Sequence, residues 1–392
     1  MKRVALAVTL FALARALKAH DANPLDAAQA SRFLTALSAS DPLVCEMAVD
    51  HIGTFWSWGG RSRGVGVLSD RADSVSFDSY SNEVEAKAIP LLAERLADPS
   101  PCIRRAAAVL LGRTPAARPT LRAKLRDPQA RVREAAALGV AQRGDPEAFD
   151  DLVRGLEGSD LGVIRMSAWA LGEIEDPRGV MPLSKVLDHA DAGVRAAAVC
   201  SLGNLKDPRS APWLIKRLSD TNPAVRELAA SGLGELKSRA AALPLITNLE
   251  DKDLGVRRAA ARALAEIQDA RAVPALARAL KDADAELRRA AVQALGEIES
   301  QGAAPPALVD ALADSDAEVR AGAAHALANF EDPATVKPLG RAMKDPDAEV
   351  RRAVVQTLSS MHGAAVTPIL LAALKDVDAE VRKSAAEALG ER

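Results

Sequence analysis

The sequence predicts an all-α chain built as an array of about eleven two-helix repeats. Three observations carry that expectation. A short phrase recurs along most of the chain: an aspartate, a few polar residues, Val-Arg, then Ala-Ala and Leu-Gly. The recurrence keeps an almost constant spacing. The composition is rich in alanine and leucine, the strongest helix formers, and 48% hydrophobic, with only 3% aromatic residues. That is enough apolar side chain for a core, but few of the aromatics that usually line enzyme clefts.

The phrase reads DTNPAVRELAASGLG at Asp220–Gly234, DADAELRRAAVQALG at Asp282–Gly296 and DVDAEVRKSAAEALG at Asp376–Gly390. Its aliphatic anchors are Ile103, Val132, Val163, Val194, Val225, Val256, Leu287, Val319, Val350 and Val381, separated by 29, 31, 31, 31, 31, 31, 32, 31 and 31 residues. Val44, with Ile52 and Gly53 after it, is a degenerate earlier copy. The phrase is one helix, ending near Leu-Gly, where glycine suits either a left-handed cap or a close helix crossing. A second helix is typified by Pro212–Leu218. The Asp207-Pro208 pair ahead of it marks a turn and a helix start, and proline is tolerated there because its missing N–H would be unpaired anyway. Neither helix can bury its apolar stripe alone, so each unit must stack on the next.

These units resemble HEAT repeats, specifically the short type found in phycocyanobilin lyase subunits. The resemblance covers about residues 83–392, with a partial unit before it. It implies a right-handed superhelix of HEAT/armadillo kind whose second helices line the concave face. The family serves scaffolding and partner docking and, in a few branches, cofactor chemistry. Three segments follow: residues 1–19, a signal peptide or first helix; 20–97, a degenerate repeat interrupted at 53–82; and 98–392, the regular repeats.

Arginine follows the anchor in nearly every unit, at Arg104, Arg133, Arg195, Arg226, Arg257, Arg288, Arg320, Arg351 and Arg382; Ile164 is the exception, with Arg165 one place on. A basic ladder for phosphates is one reading. Strict recurrence favours the other, in which each planar guanidinium braces loop carboxylates or carbonyls such as those of Asp220, Asp251, Asp314 and Asp345.

A second row falls on the second helices. On an ideal helix Ala211, Leu214 and Leu218 share one face and Lys216 lies opposite. The equivalent positions are Glu94, Ala123, Arg154, Lys185, Lys216, Thr247, Arg278, Asp310, Arg341 and Ala372, with Arg95, Lys124 and Arg217 beside them. If these helices line a concavity, Arg154, Lys185, Lys216, Arg278 and Arg341 give it a basic character suited to an acidic protein partner. The alternative is an ordinary solvated face. A net charge of −2 and the scarcity of aromatics along the row disfavour nucleic acid.

The stretch 53–82 breaks the period and holds Phe55, Trp56, Trp58, Phe77 and Tyr80 with Gly59, Gly60, Arg61 and Arg63. It reads either as a partner contact through Trp56 and Trp58 or as a cap on the end of the array. Lys2 and Arg3 precede an uncharged run from Val4 to Ala14, the layout of a signal peptide cleaved after Ala16 or Ala19, although Arg15 and Lys18 lie close to that cut. Export to the periplasm or cell envelope follows if it is one, and a cytoplasmic location otherwise. Cys45 and Cys102 flank the anchor position in adjacent units and are candidates for a disulfide in an exported protein; Cys200 is expected in the core.

No apolar run is long enough to cross a bilayer. The histidines, His20, His51, His189, His325 and His362, are scattered, and none precedes a glutamate, so the His-Glu iron ligands of HEAT-like deoxyhypusine hydroxylases do not carry over. No phosphate-loop, dinucleotide or serine-hydrolase motif is present. The sequence therefore predicts a monomeric, non-catalytic interaction scaffold without cofactor or metal. The alternatives are an accessory or catalytic subunit of the lyase or oxidoreductase type, and a structural envelope protein that binds through the aromatic insertion.

Overall fold

The computed structural model describes residues 24–38, 83–298, 303–330, 332–361 and 363–390. The segment 1–19, Val44, Cys45 and the insertion 53–82 with Trp56 and Trp58 lie outside the described residues. The chain divides into two compact units, Met1–Asp207 and Pro208–Arg392. Among the described residues each unit is helical; the one extended pairing is an isolated bridge between Leu25 and Val84.

In the amino-terminal unit the helix Ala27–Ser38 precedes four hairpins, each a short helix and a long one: Ile89–Arg95 with Pro101–Arg113, Arg118–Lys124 with Ala130–Ala141, Phe149–Leu156 with Leu161–Glu173, and Val180–Lys185 with Ala192–Asn204. The carboxy-terminal unit repeats the hairpin six times: Ala211–Arg217 with Pro223–Glu235, Ala242–Asn248 with Leu254–Ile267, Val273–Ala279 with Ala285–Glu297, Pro306–Asp310 with Ala317–Leu327, Val336–Ala342 with Ala348–Ser360, and Val366–Ala373 with Ala379–Gly390. Within each unit the long helices stack in chain order.

Local chemistry sets the boundaries. Most short helices are prefaced by a single 3₁₀ turn, as at Pro177–Gly179 and Pro208–Ser210, so the Asp-Pro pair opens that turn and not the α-helix itself. The Asp176 side chain accepts from the Arg178 N–H, and Asp269 from Arg271 N–H, closing the turn where proline or alanine follows. Six of the ten described long helices start on an aspartate whose carboxylate accepts from the anchor's N–H, as in Asp160 to Val163, Asp191 to Val194 and Asp284 to Leu287. Every anchor from Ile103 to Val381 is buried, together with most of the alanines and leucines that follow on the same face. Small alanines let neighbouring long helices approach closely.

Of the two roles open to the Leu-Gly glycine, close crossing is the one observed. A Cβ on Gly234 would lie 2.9 Å from the Ala263 Cα, and one on Gly172 would lie 2.9 Å from the Ser201 Cα. The left-handed positions come three residues later, at Glu175, Lys206 and Lys237 (φ 56°, 49° and 47°), all with exposed side chains. Cys200 also departs from expectation: it is half-buried and not in the core. Cys102 is disulfide-bonded.

Candidate functional site

The arginine after each anchor turns back on its own hairpin loop. Its Nη1 donates to two successive carbonyls: Asp98 and Pro99 for Arg104, Asp127 and Pro128 for Arg133, His189 and Ala190 for Arg195, Asp376 and Val377 for Arg382. In the carboxy-terminal unit the other edge of the guanidinium reaches the next hairpin. Arg226 Nε and Nη2 donate to Asp251 at 2.8 and 2.7 Å, Arg288 to Asp314 at 2.7 and 2.8 Å, Arg320 to Asp345 at 2.7 and 3.0 Å, and Arg351 to Asp376 at 2.8 and 2.9 Å. The receiving aspartate also closes its own loop, as Asp345 does by accepting from the Asp347 N–H. One side chain thus ties a loop to itself and to its neighbour, and bidentate pairing gives that tie a fixed geometry. Arg226 and Arg351 are buried, so the row is a brace between repeats and not a ladder for phosphates.

A parallel brace went unread in the sequence. Arg258 donates to Asp284, and Arg289 to Asp316, the aspartates that cap the following long helices. The hydrogen bond from Arg289 holds the Asp316 carboxyl at about 2, and that from Arg351 holds Asp376 below the usual carboxylate range. The signal was present: an arginine two places after the anchor and an aspartate 26 or 27 residues on.

The amino-terminal unit lacks this regularity. The register that pairs Arg226 with Asp251 places Gly158 opposite Arg133, and His189 opposite Ile164. Where arginine is missing, aspartate is missing too. Ile164 is buried, and His189 takes over the aspartate's loop duty through Nδ1, which accepts from the Asp191 N–H at 3.0 Å. Two half-buried carboxyls, Glu134 and Glu173, are pushed up by burial.

The row on the short helices is solvent-facing in both units. Arg154 and Lys185 in the first, and Lys216, Arg278 and Arg341 in the second, are all exposed, while Leu214, Leu218 and Ala211 are buried as the helical wheel requires. The cations are not equivalent. Arg154 is held at 2.5 Å by Asp151, a buried carboxylate that also takes a bidentate grip from Arg126 at 2.8 and 2.9 Å. Arg278 reaches the exposed Glu250 at 3.0 Å. Lys185 and Arg341 have no ion pair among the described residues. Arg217, expected beside the row, is instead buried, and lies 3.7 Å from Asp220. Exposed apolar side chains accompany the cations: Met181 one turn before Lys185 in the first unit, and Trp213 and Leu243 on consecutive short helices in the second. Beyond the first unit's row, the Arg178 guanidinium lies 4.3 Å over the Phe149 ring. Among the described residues no group of three or more His, Cys, Asp or Glu side chains could hold a metal, and no helix is long and apolar enough to cross a membrane.

The profile of HEAT repeats matches residues 89–172, 151–234, 180–261, 242–307 and 305–390. No protein of curated function matches the chain. Among solved structures, an engineered protein is similar at 24% identity and a TM-score of 0.53, over 78% of this chain and 94% of its own. Human deoxyhypusine hydroxylase, in complex with glycerol, aligns at 24% identity and a TM-score of 0.29, over 62% of this chain and 95% of its own. The complex of CpcE and CpcF of phycocyanin lyase from Nostoc sp. PCC7120 aligns at 26% identity and a TM-score of 0.38, over 62% of this chain and 94% of its own.

Proposed function

The chain belongs to the HEAT-repeat family, and from that premise we propose that it is a non-catalytic scaffold that binds a protein partner along the short-helix face of its repeats. One observation carries the reading. Five of the ten described short helices hold a cation at one equivalent, exposed position, and exposed Met181 in one unit and Trp213 and Leu243 in the other accompany the row. Cations next to large apolar side chains suit an acidic protein surface, with charge steering the encounter and apolar contact holding it. Lys185 and Arg341 are the cations most available for that role, because Arg154 and Arg278 already have carboxylate neighbours. The arginines after the anchors are excluded from it by their bracing.

The test is quantitative capture from the source cell with the wild-type chain and with a Lys185→Glu/Lys216→Glu/Arg341→Glu variant. Loss of a specific acidic partner at unchanged helicity is the expected result. The same partners in the same amounts would discard the reading.

A further inference from the structure

We propose that the outer face of the long helices in the amino-terminal unit is the seat of the chain's own segment 39–82, whose aromatic side chains cover it. This is independent of the short-helix face. One position carries the contrast, six residues after the anchor and off the anchor's own face of the helix. In the carboxy-terminal unit it holds Ser231, Arg262, Gln293, His325 and Gln356, all exposed. In the amino-terminal unit it holds Val109, Leu138 and Trp169, which are 1, 3 and 7% exposed, and then half-buried Cys200. The same face is polar and open in one unit, apolar and shut in the other. Charged groups ten places after the anchor follow suit. Arg113 and Glu173 are half-buried, and burial lowers the first and raises the second, whereas Glu235 and Glu266 are exposed.

The described helices do not account for the cover. Ala130–Ala141 packs on the long helix before it, the long helix after it and its own short helix, and so does its open counterpart Leu254–Ile267. The helix Ala27–Ser38 packs at the first hairpin, on Ile89–Arg95 and Pro101–Arg113. Like neighbours and opposite exposure call for a further layer over Leu138 and Trp169. Residues 39–82 lie outside the described residues, but the positions that flank them do not. The chain leaves at Ser38 and returns at Glu83, whose carboxylate meets Arg143 at 3.5 Å, while the Val84 N–H donates to the buried Thr114 hydroxyl at 2.9 Å. Thr114 and Arg143 stand just past the ends of Pro101–Arg113 and Ala130–Ala141, so the segment rejoins the array at the edge of this face. Four long helices at a spacing of about 8–10 Å make a row about 30 Å wide, which about ten extended residues can cross. The segment holds Phe55, Trp56, Trp58, Phe77 and Tyr80, side chains that bury large areas against an apolar face. The aromatic insertion is then an internal ligand of the array's flank, and neither a cap on its end nor a contact for another protein.

Crosslinking in the full-length chain tests this. A Trp169→benzoylphenylalanine variant is photoactivated, digested and read by mass spectrometry. Crosslinks to peptides from residues 39–82 are expected. Crosslinks to residues 1–23 instead, or none within the chain, would overturn the proposal. The second measurement is tryptic cleavage at Arg61, Arg63 and Arg71 in a Leu138→Gln/Trp169→Ser variant. Both replacements are residue types that the same position carries at Gln293 and Ser231, so the stack of hairpins and its circular dichroism should hold. Cleavage at the three arginines should be faster than in the wild-type chain by roughly tenfold or more. Equal cleavage rates in the two chains would leave the segment without this seat and overturn the assignment.

Discussion

The two units are made of the same hairpin but held together differently. In the carboxy-terminal unit Arg226, Arg257, Arg288, Arg320 and Arg351 each reach an aspartate of the following hairpin. In the amino-terminal unit Arg104 and Arg133 reach no aspartate of the following hairpin among the described residues, Gly158 standing opposite Arg133, and the next joint carries the paired change to Ile164 and His189. Both units bury their anchors equally well. Apolar stacking therefore suffices to build the array, and the ionic brace is an added constraint on how one hairpin meets the next. A buried ion pair specifies geometry more surely than it adds stability, since desolvation offsets much of its attraction.

The largest effect that bears on this comparison comes from restoring half a brace. Ile164→Arg alone puts a charge into a buried site with no carboxylate opposite and should cost about 3 kcal/mol. Ile164→Arg with His189→Asp recreates the pairing and should recover most of that loss in thermal melts. Costs that simply add would show that the joint does not share the register of the carboxy-terminal unit.

Acid gives the next effect. Asp284, Asp316 and Asp376 have lowered values because arginines hydrogen-bond to their charged form. A lowered carboxyl stabilises the folded state above its unfolded value of about 4, and that contribution is lost as pH falls toward about 2. Glu134 and Glu173 are raised by burial, so protonating them between neutral pH and about 4.5 relieves a penalty in the amino-terminal unit. Hydrogen exchange followed by mass spectrometry should show the carboxy-terminal unit losing protection first below about pH 4. Equal loss in both units would count against the braces as its cause.

The smallest effect is a gain. Gly158→Asp offers Arg133 the carboxylate it lacks, and the new Cβ meets only the Gly155 carbonyl at an ordinary 3.5 Å. Thermal denaturation should show about 0.5–1 kcal/mol of stabilisation. Destabilisation would mean that the loop cannot adopt the form seen at Asp251 or Asp345.

What the sequence made legible was whatever recurs. The period placed every anchor in the core, and one arginine per period separated a bracing role from a binding one before any coordinates. The helical wheel put Lys185, Lys216 and Arg341 in solvent correctly, because exposure on an amphipathic helix follows from angle alone. Arg217 escaped that reasoning: it is buried although it follows exposed Lys216, and it lies 3.7 Å from Asp220. Asp151 escaped because it lies outside the repeated phrase and gathers Arg126 from the hairpin before it. The glycine of Leu-Gly was legible as special, but choosing between cap and crossing required the position of the next helix.

In the carboxy-terminal unit the arginine after the anchor is an internal tie. A double-mutant cycle on Arg320 and Asp345 tests it most directly, using Arg320→Ala, Asp345→Ala and the pair in urea denaturation. The braced geometry predicts a coupling of about 1–3 kcal/mol. A coupling indistinguishable from zero, with Arg320→Ala leaving stability untouched, would contradict it and return the arginine row to the list of ligand-binding surfaces.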